Sequence, residues 1–437
     1  MKRLSLLLVA FGALLPVWST VAASVTVSTP VIPGQRFIVT DYGAVGDGRT
    51  MCTAAIRSAF AACAQAGGGQ VVLPEGDFLC GPIELPARTD FHLVKGATLR
   101  MSHNRKDFAL PEGRTANLIY AREVTDVQIS GEGTIDGQGK PWWDRVRELA
   151  KHPDEAKKEP QRPQLIVFDR CERVRLAGVT TLNPPNTHCS VRRCVDVTVE
   201  DVTMTAPDES ANTDGINLSG RNAIIRRCHI ATGDDNIVFL SSYPAKDEGP
   251  GTANVLVSDC TLGVGHGMSI GSYTSGGLRD ITVENVTFDG TTSGIRMKAA
   301  RDRGGLVENI IFRNVTMRKV RTPIFLSSYY PKEPKRPDDD PGQGVTPRTP
   351  VWRNIQIEGG TIQDCENSII IWGLPERPFE DVKLKNLQIT AERGAQVYHA
   401  KGMRFEGVSL NVKKGPPLTV HQAEVTGMTG EPLKPAK

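Results

Sequence analysis

A short apolar alternation returns along this chain every two to three dozen residues, and no other feature restricts the fold as strongly. It reads apolar, any residue, apolar, two polar or small residues, apolar. Val127-Gln-Ile129, Val174-Arg-Leu176-Ala-Gly-Val179 and Val197-Thr-Val199-Glu-Asp-Val202 carry it, as do residues 225–228, 255–260, 281–286 and 310–315. Further copies lie at 355–359, 382–387 and 403–408. With Leu176, Val199, Ile225, Val257, Val283 and Phe312 taken as equivalent points, the spacings are 23, 26, 32, 26 and 29 residues. A unit of that length cannot bury a core alone, so successive units must stack and align their inward side chains into continuous columns. The repeated residues are largely β-branched and follow a period of two, which predicts an all-β fold, a parallel β-helix. A leucine-rich repeat would need a recurring L-x-x-L-x-L pattern, and a propeller four strands in each ~40–45 residues.

Composition agrees with stacked coils. The 437 residues include 43 Gly and 29 Pro, too many breakers for a helical bundle. Length alone suggests two or three domains, but a solenoid accommodates residues 24–437 as one. Lys and Arg number 52 against 49 Asp and Glu, so general electrostatic capture of nucleic acid is excluded. Met1, Lys2 and Arg3, an apolar stretch over 4–15 and the small residues Val21, Ala22 and Ala23 read as a signal peptide over residues 1–23. The expectation is a secreted or periplasmic protein with no membrane span, a monomer whose mature part is nearly neutral. Nine cysteines lie in that part, and an oxidising compartment permits disulfides. An odd number leaves at least one unpaired in a monomer. Cys189 and Cys194 are close in sequence, Cys228 and Cys260 fall at matching positions of neighbouring repeats, and no paired C-x-x-C spacing supports structural zinc.

Three stretches interrupt the repeat. Residues 54–63 are good helix formers, with Thr53 as a cap and Gly67-Gly68-Gly69 as the stop, and would cover one open end of the solenoid. The charged stretch 142–163 reads as a surface insertion with a short helix over 145–151. The proline-rich stretch 327–350 reads as a long loop with Asp338-Asp339-Asp340 at a solvated tip.

The chemistry-bearing residues cluster in four consecutive repeats: Asn212-Thr213-Asp214-Gly215, Gly233-Asp234-Asp235, Gly265-His266-Gly267 and Arg296-Met297-Lys298. Singly, each is an ordinary turn or solvated strand face. In successive coils, about 4.8 Å apart, they become one site. Counting from the equivalent points sets Asp234 and Asp235 beside His266, and Arg296 and Lys298 level with Asn212 and Asp214. Three carboxylates with a histidine and two cations are what glycosidic hydrolysis of an acidic sugar requires. One carboxylic acid protonates the leaving oxygen, with its pKa raised by like charge or desolvation; another carboxylate activates water or attacks. Arg and Lys hold the substrate carboxylate.

The order Asn-Thr-Asp, Gly-Asp-Asp, Gly265-His266-Gly267-Met268-Ser269-Ile270-Gly271-Ser272 and Arg-x-Lys resembles that of the polygalacturonases, the pectin-hydrolysing glycoside hydrolases. The resemblance extends to Asp41-Tyr42-Gly43-Ala44-Val45-Gly46-Asp47-Gly48, to Gly131-Glu132-Gly133-Thr134-Ile135-Asp136-Gly137 and to Val307-Glu308-Asn309-Ile310. It implies a right-handed, single-stranded parallel β-helix, no metal or other cofactor, and inverting hydrolysis of α-1,4-linked galacturonate in polygalacturonate. By resemblance Asp234 is the general acid, Asp214 and Asp235 position and activate water, and His266 supports the acid or binds substrate. Asn212 lines the site, Arg296 and Lys298 bind the galacturonate carboxylate, and Tyr329 or Tyr330 supplies an aromatic beside the sugar. Inversion implies an acid and a base roughly 6.5–9.5 Å apart. Asn236 stands where many members carry a disulfide cysteine, which leaves Cys260 without that partner. The competing readings are a calcium-dependent pectate lyase and a non-catalytic polysaccharide-binding solenoid; crowded carboxylates are costly for mere binding.

Overall fold

The computed structural model describes residues 25–242 and 251–433. The leader expected over residues 1–23 lies outside them. Strands of neighbouring coils pair in parallel, and the equivalent points inferred from the repeat are direct register partners: Leu176 with Val199, Val199 with Ile225, Ile225 with Val257, Val257 with Val283, and Val283 with Phe312. Ile357 and Leu384 continue the same column. All eight are at most 1% exposed, so the column faces the interior. The protein is thus a parallel β-helix. Among the described residues no helix is long and apolar enough to cross a membrane.

Three strands make a typical coil. One coil runs through the later part of strand Ile216–Arg226, then His229–Ala231, then Ile237–Phe239; the next repeats it with Thr252–Ser258, Thr261–Leu262 and Met268–Ile270. The third strands build the face that carries the site. Their inner column is Cys189, Ile216, Ile237, Met268, Ile295, Ile324 and Ile369, joined residue to residue and buried throughout.

The bends within the longer strands are made mainly by Asn and Asp. Asp196, Asn222, Asn254, Asp280 and Asn309 have φ of 57°, 54°, 57°, 55° and 57°, the left-handed region that these short polar side chains tolerate best among non-glycine residues. The side chains also tie coil to coil: Asn222 Nδ2 donates to Asp196 Oδ1 at 3.1 Å, Asn254 Nδ2 to Asn222 Oδ1 at 2.8 Å, and Asn309 Nδ2 to Asp280 Oδ1 at 2.8 Å.

Helix α1, Thr53–Gln65, closes the N-terminal end by burying Ile56, Ala59, Phe60 and Cys63. The Phe60 ring meets Phe91 edge-on at 5.3 Å. Thr53 is not the cap. Cys52 holds that position without a side-chain bond, while the Thr53 hydroxyl accepts from the Gly81 N–H at 2.7 Å. Helix α2, Lys140–Leu149, begins earlier than charge patterning suggested, because Trp142 and Trp143 are core contacts rather than surface. In the loop after Ser327, Asp340 is no solvated tip: it is ion-paired with Arg301, which also binds both oxygens of Glu376. None of the nine cysteines is bonded to another; all are buried thiols.

The column makes a direct test of the period. Ile225→Ala is expected to cost about 2–5 kcal/mol and Ile224→Ala, on the outward side of the same strand, less than about 1 kcal/mol. Denaturant unfolding of the two variants measures the difference.

Candidate active site

The residues just ahead of the inner column are the ones that carry chemistry. Asp214 precedes Ile216 by two residues, Asp235 precedes Ile237 by two, and His266 precedes Met268 by two, so the pairing of Ile216 with Ile237 and of Ile237 with Met268 lines them up in three successive coils. One residue past the inner column, Asn217, Val238, Ser269 and Arg296 are register partners and share the outward side. Arg296 is therefore level with Asn217, and Lys298 lies two residues further along the strand. The expected alignment of Arg296 and Lys298 with Asn212 and Asp214 does not hold. The turn between Val199 and Ile216 is five residues longer than that between Val283 and Ile295, which defeats counting from the earlier strand.

Asp235 is the anchored member of the carboxylates. It is 5% exposed, and its Oδ1 accepts from Ser269 Oγ at 2.7 Å and Arg296 Nη1 at 3.2 Å, its Oδ2 from Lys298 Nζ at 2.7 Å. Asp234 is more open. Its Oδ1 meets His266 Nδ1 at 3.0 Å and its own chain at the Asp235 N–H at 2.9 Å, while Oδ2 accepts from Asn212 Nδ2 at 3.2 Å. Burial raises the Asp234 pKa, but the bond to His266, its charge and Lys298 outweigh that and hold the carboxyl below its ordinary value. Asp214 goes the other way. Burial first, then the charges of Asp234 and Asp235, push it up to about 7, against the pull of its 2.8 Å bond from Asn217 Nδ2. Interacting carboxyls titrate together, and here the two shifts run in opposite directions: Asp214 is pushed up to about 7 and Asp234 is held down.

Local backbone chemistry explains the motif residues around them. Gly267 has φ of 74°, and a Cβ there would lie 2.0 Å from the Ser293 carbonyl oxygen, so His266 can sit this close to the next coil only beside glycine. Asn236, in place of a disulfide cysteine, is fully buried and ties the loop of the aspartates to that of the histidine. Its Nδ2 donates to the carbonyls of Ile230 (3.2 Å) and Val264 (3.0 Å), and its Oδ1 accepts from the Gly267 N–H at 2.8 Å.

Of the two tyrosines, Tyr330 is at the site: its ring centre is 5.3 Å from Lys298 Nζ and 6.0 Å from the Arg296 guanidinium carbon. Tyr329 is not. It is buried under the Arg301 guanidinium, 5.6 Å from its ring centre, because the chain reverses between the two residues. Sequence reasoning missed Asn217 and Ser269, which the strand alternation beyond the Asp-Gly and His-Gly turns would have put on the outward row. It also missed Arg162, which reaches Asn212 from the segment taken as a surface insertion.

Asp234, Asp235 and His266 offer oxygen and nitrogen atoms within 4.8 Å of one another, a spacing that a metal could bridge. The donor set does not suit calcium, which takes six to eight oxygens. Lys298 and Arg296 already occupy both Asp235 oxygens, and a bound cation would be set against their charges.

A long parallel β-helix with a cluster of carboxylates, a histidine and a cationic pair on one face defines a polysaccharide-cleaving enzyme. Residues 63–409 match the model of glycosyl hydrolases family 28, and the chain belongs to that family; it is a glycosidase. It is 31% identical over 394 residues to an endo-polygalacturonase of Pectobacterium carotovorum subsp. carotovorum, covering 85% of this chain and 91% of that one. Among solved structures, the exopolygalacturonase from Thermotoga maritima superposes with a TM-score of 0.70 at 25% identity, over 84% of this chain and 89% of that one. The polygalacturonase from Erwinia carotovora ssp. carotovora gives 0.68 at 26% identity, over 94% and 99%.

Two outcomes follow from the site. Between about pH 4 and pH 7 folded Asp214 keeps a proton that the unfolded chain has released, so its contribution to stability is complete below pH 4 and lost as pH rises through 7. Asp214→Asn is therefore expected to raise the thermal unfolding midpoint above the parent's at pH 8 and to leave it nearly unchanged at pH 4. Asn236→Ala, which strands the Gly267 N–H while the Ile230 and Val264 carbonyls keep their backbone donors, is expected to lose about 1–3 kcal/mol in denaturant unfolding and most of the activity with it.

Proposed function

We propose that the enzyme hydrolyses the α-1,4-galacturonosidic bonds of polygalacturonate with inversion at the anomeric carbon. The observation that carries this reading is the separation of roles among the three aspartates. Asp234, partly exposed and 3.0 Å from His266 Nδ1, is the acid that delivers a proton to the leaving oxygen, although its carboxyl in the free protein is held down rather than raised as the sequence suggested for an acid. Asp214 is the base in its ionised form, and a pKa raised to about 7 makes that form a stronger proton acceptor than an ordinary carboxylate, at the cost of being protonated at lower pH. Asp235, buried and bonded by Lys298, completes the grip on that water. Its oxygens are too enclosed to attack the sugar, although it lies nearer to Asp234 than the usual spacing of an inverting pair. Direct attack by Asp235 would make the enzyme retaining, which its enclosure disfavours.

The galacturonate carboxylate is received by Arg296, which is more exposed than Lys298 and can make a two-pronged contact. Lys298 adds its charge from beneath, Tyr330 packs beside the sugar, and Asn212 lines the approach. Names of the relatives above support polygalacturonate as the substrate. The positive start, apolar stretch and small residues of positions 1–23 support export of the chain from residue 24 onward, acting as a single-domain monomer.

Asp234→Asn is expected to cut the release of reducing ends from polygalacturonate by at least about 100-fold with an unchanged unfolding midpoint. Near-normal turnover in that variant would remove Asp234 as the acid. Proton NMR of the first product formed is expected to show the β-anomer at the new reducing end; the α-anomer would mean retention. Ultraviolet-absorbing unsaturated ends that vanish on chelation would instead mark a calcium-dependent lyase, and binding without turnover a non-catalytic solenoid.

A further inference from the structure

Arg162 has no part in the mechanism above, yet its guanidinium is turned toward the catalytic row. It lies near the end of the segment that begins with helix α2, and both ends of that segment grip one turn of the solenoid. Trp143 Nε1 donates to the Pro184 carbonyl at 2.9 Å, and Arg162 Nη1 to the Pro185 carbonyl at 2.7 Å. Arg162 Nη1 also donates to the Ala211 carbonyl at 2.7 Å, one coil further on, and Nη2 to Asn212 Oδ1 at 2.7 Å. Asn212 then reaches the third coil, its Nδ2 donating to Asp234 Oδ2 at 3.2 Å.

The chemistry of this chain of bonds fixes its direction. A guanidinium has donors only, so Asn212 must turn Oδ1 toward Arg162 and therefore its NH2 toward Asp234. Asn212 is exposed and sits at a φ of 56°, where nothing else among its recorded bonds selects one orientation of a nearly symmetric amide. Reversed, it would set a carbonyl oxygen against the Asp234 carboxylate. We propose that Arg162 is a positioning residue for the hydrolysis, which through Asn212 keeps a hydrogen-bond donor on Asp234 and so sets how readily Asp234 releases its proton. The charge of Arg162 acts in the same sense, since Asp214 and Asp234 are the acidic groups it interacts with. This inference rests on Asp234 as the acid.

Loss of the donor and the charge makes Asp234 hold its proton more tightly. The fall of kcat on the alkaline side then moves to higher pH, while the plateau drops because a weaker acid protonates the leaving oxygen less well. The test compares the parent, Arg162→Met, Arg162→Lys, Asn212→Ala and the double variant Arg162→Met/Asn212→Ala on a galacturonate oligomer of defined length, across pH, with Asp234→Asn as reference. Arg162→Met is expected to lower kcat about tenfold, with KM changed less than about twofold, and to move the alkaline limb upward. The same change in the Asn212→Ala background is expected to add less than it costs alone, because only the charge of Arg162 is then left to lose. An unchanged kcat and limb in Arg162→Met, a loss without movement of the limb, or an equal loss in both backgrounds overturns the proposal. If Arg162→Met does not fold, Arg162→Lys decides: its single ammonium cannot hold both carbonyls and Oδ1, so a smaller shift of the limb in the same direction is expected, and a profile superimposable on the parent's overturns it. Retained activity in Asp234→Asn would remove the acid assignment itself, whereas an inactive Asp234→Asn beside a normal Arg162→Met would remove only this inference.

Discussion

Everything in this protein depends on the register of one parallel strand on the next. A hydrogen-bonded step of about 4.8 Å repeats coil after coil, and it turns sequence neighbours some 21 to 31 residues apart into side-by-side groups. The same step that stacks Ile216, Ile237 and Met268 inside stacks Asp214, Asp235 and His266 at the mouth of the face. The site needs no loop closure to assemble it. The aspartates and the histidine sit in short turns immediately ahead of the paired strands, so strand pairing sets their spacing.

The electrostatic arrangement is the second constraint. Three carboxyls crowded into two adjacent coils repel one another, and the structure answers each repulsion differently: Lys298 and Arg296 pair with Asp235, the His266 ring bonds Asp234, and Asp214 is pushed up to about 7. A near-neutral chain therefore hosts a strongly polarised site. Asp214 is held in a form that favours function over stability, the usual relation between active sites and the scaffold that carries them.

Much of the fold was legible because period two, repeated, leaves a mark in sequence that tertiary context cannot erase. Leu176, Val199, Ile225, Val257, Val283 and Phe312 were placed as partners and are partners. The same reasoning failed across turns. Arg296 and Lys298 were set a few residues out of place because turn lengths differ between coils, and only pairing of the following strand resets the count. Asn and Asp in left-handed conformation make many of the bends, a signal visible in Asn222, Asn254 and Asn309 once one asks which residue can turn there. Trp142 and Asp340 were misread, and the choice between Tyr329 and Tyr330 stayed open, for a shared reason: burial in an insertion depends on partners from distant coils, and local composition does not contain them.

Asn236 carries a consequence for how the protein is made. The loop of the aspartates is fastened to the loop of the histidine by the amide of one asparagine, and the nine cysteines remain thiols inside the solenoid. No covalent bond has to be formed, or protected from reduction, for the active site to take shape. The catalytic geometry is thereby independent of the redox poise of the compartment in which the chain folds.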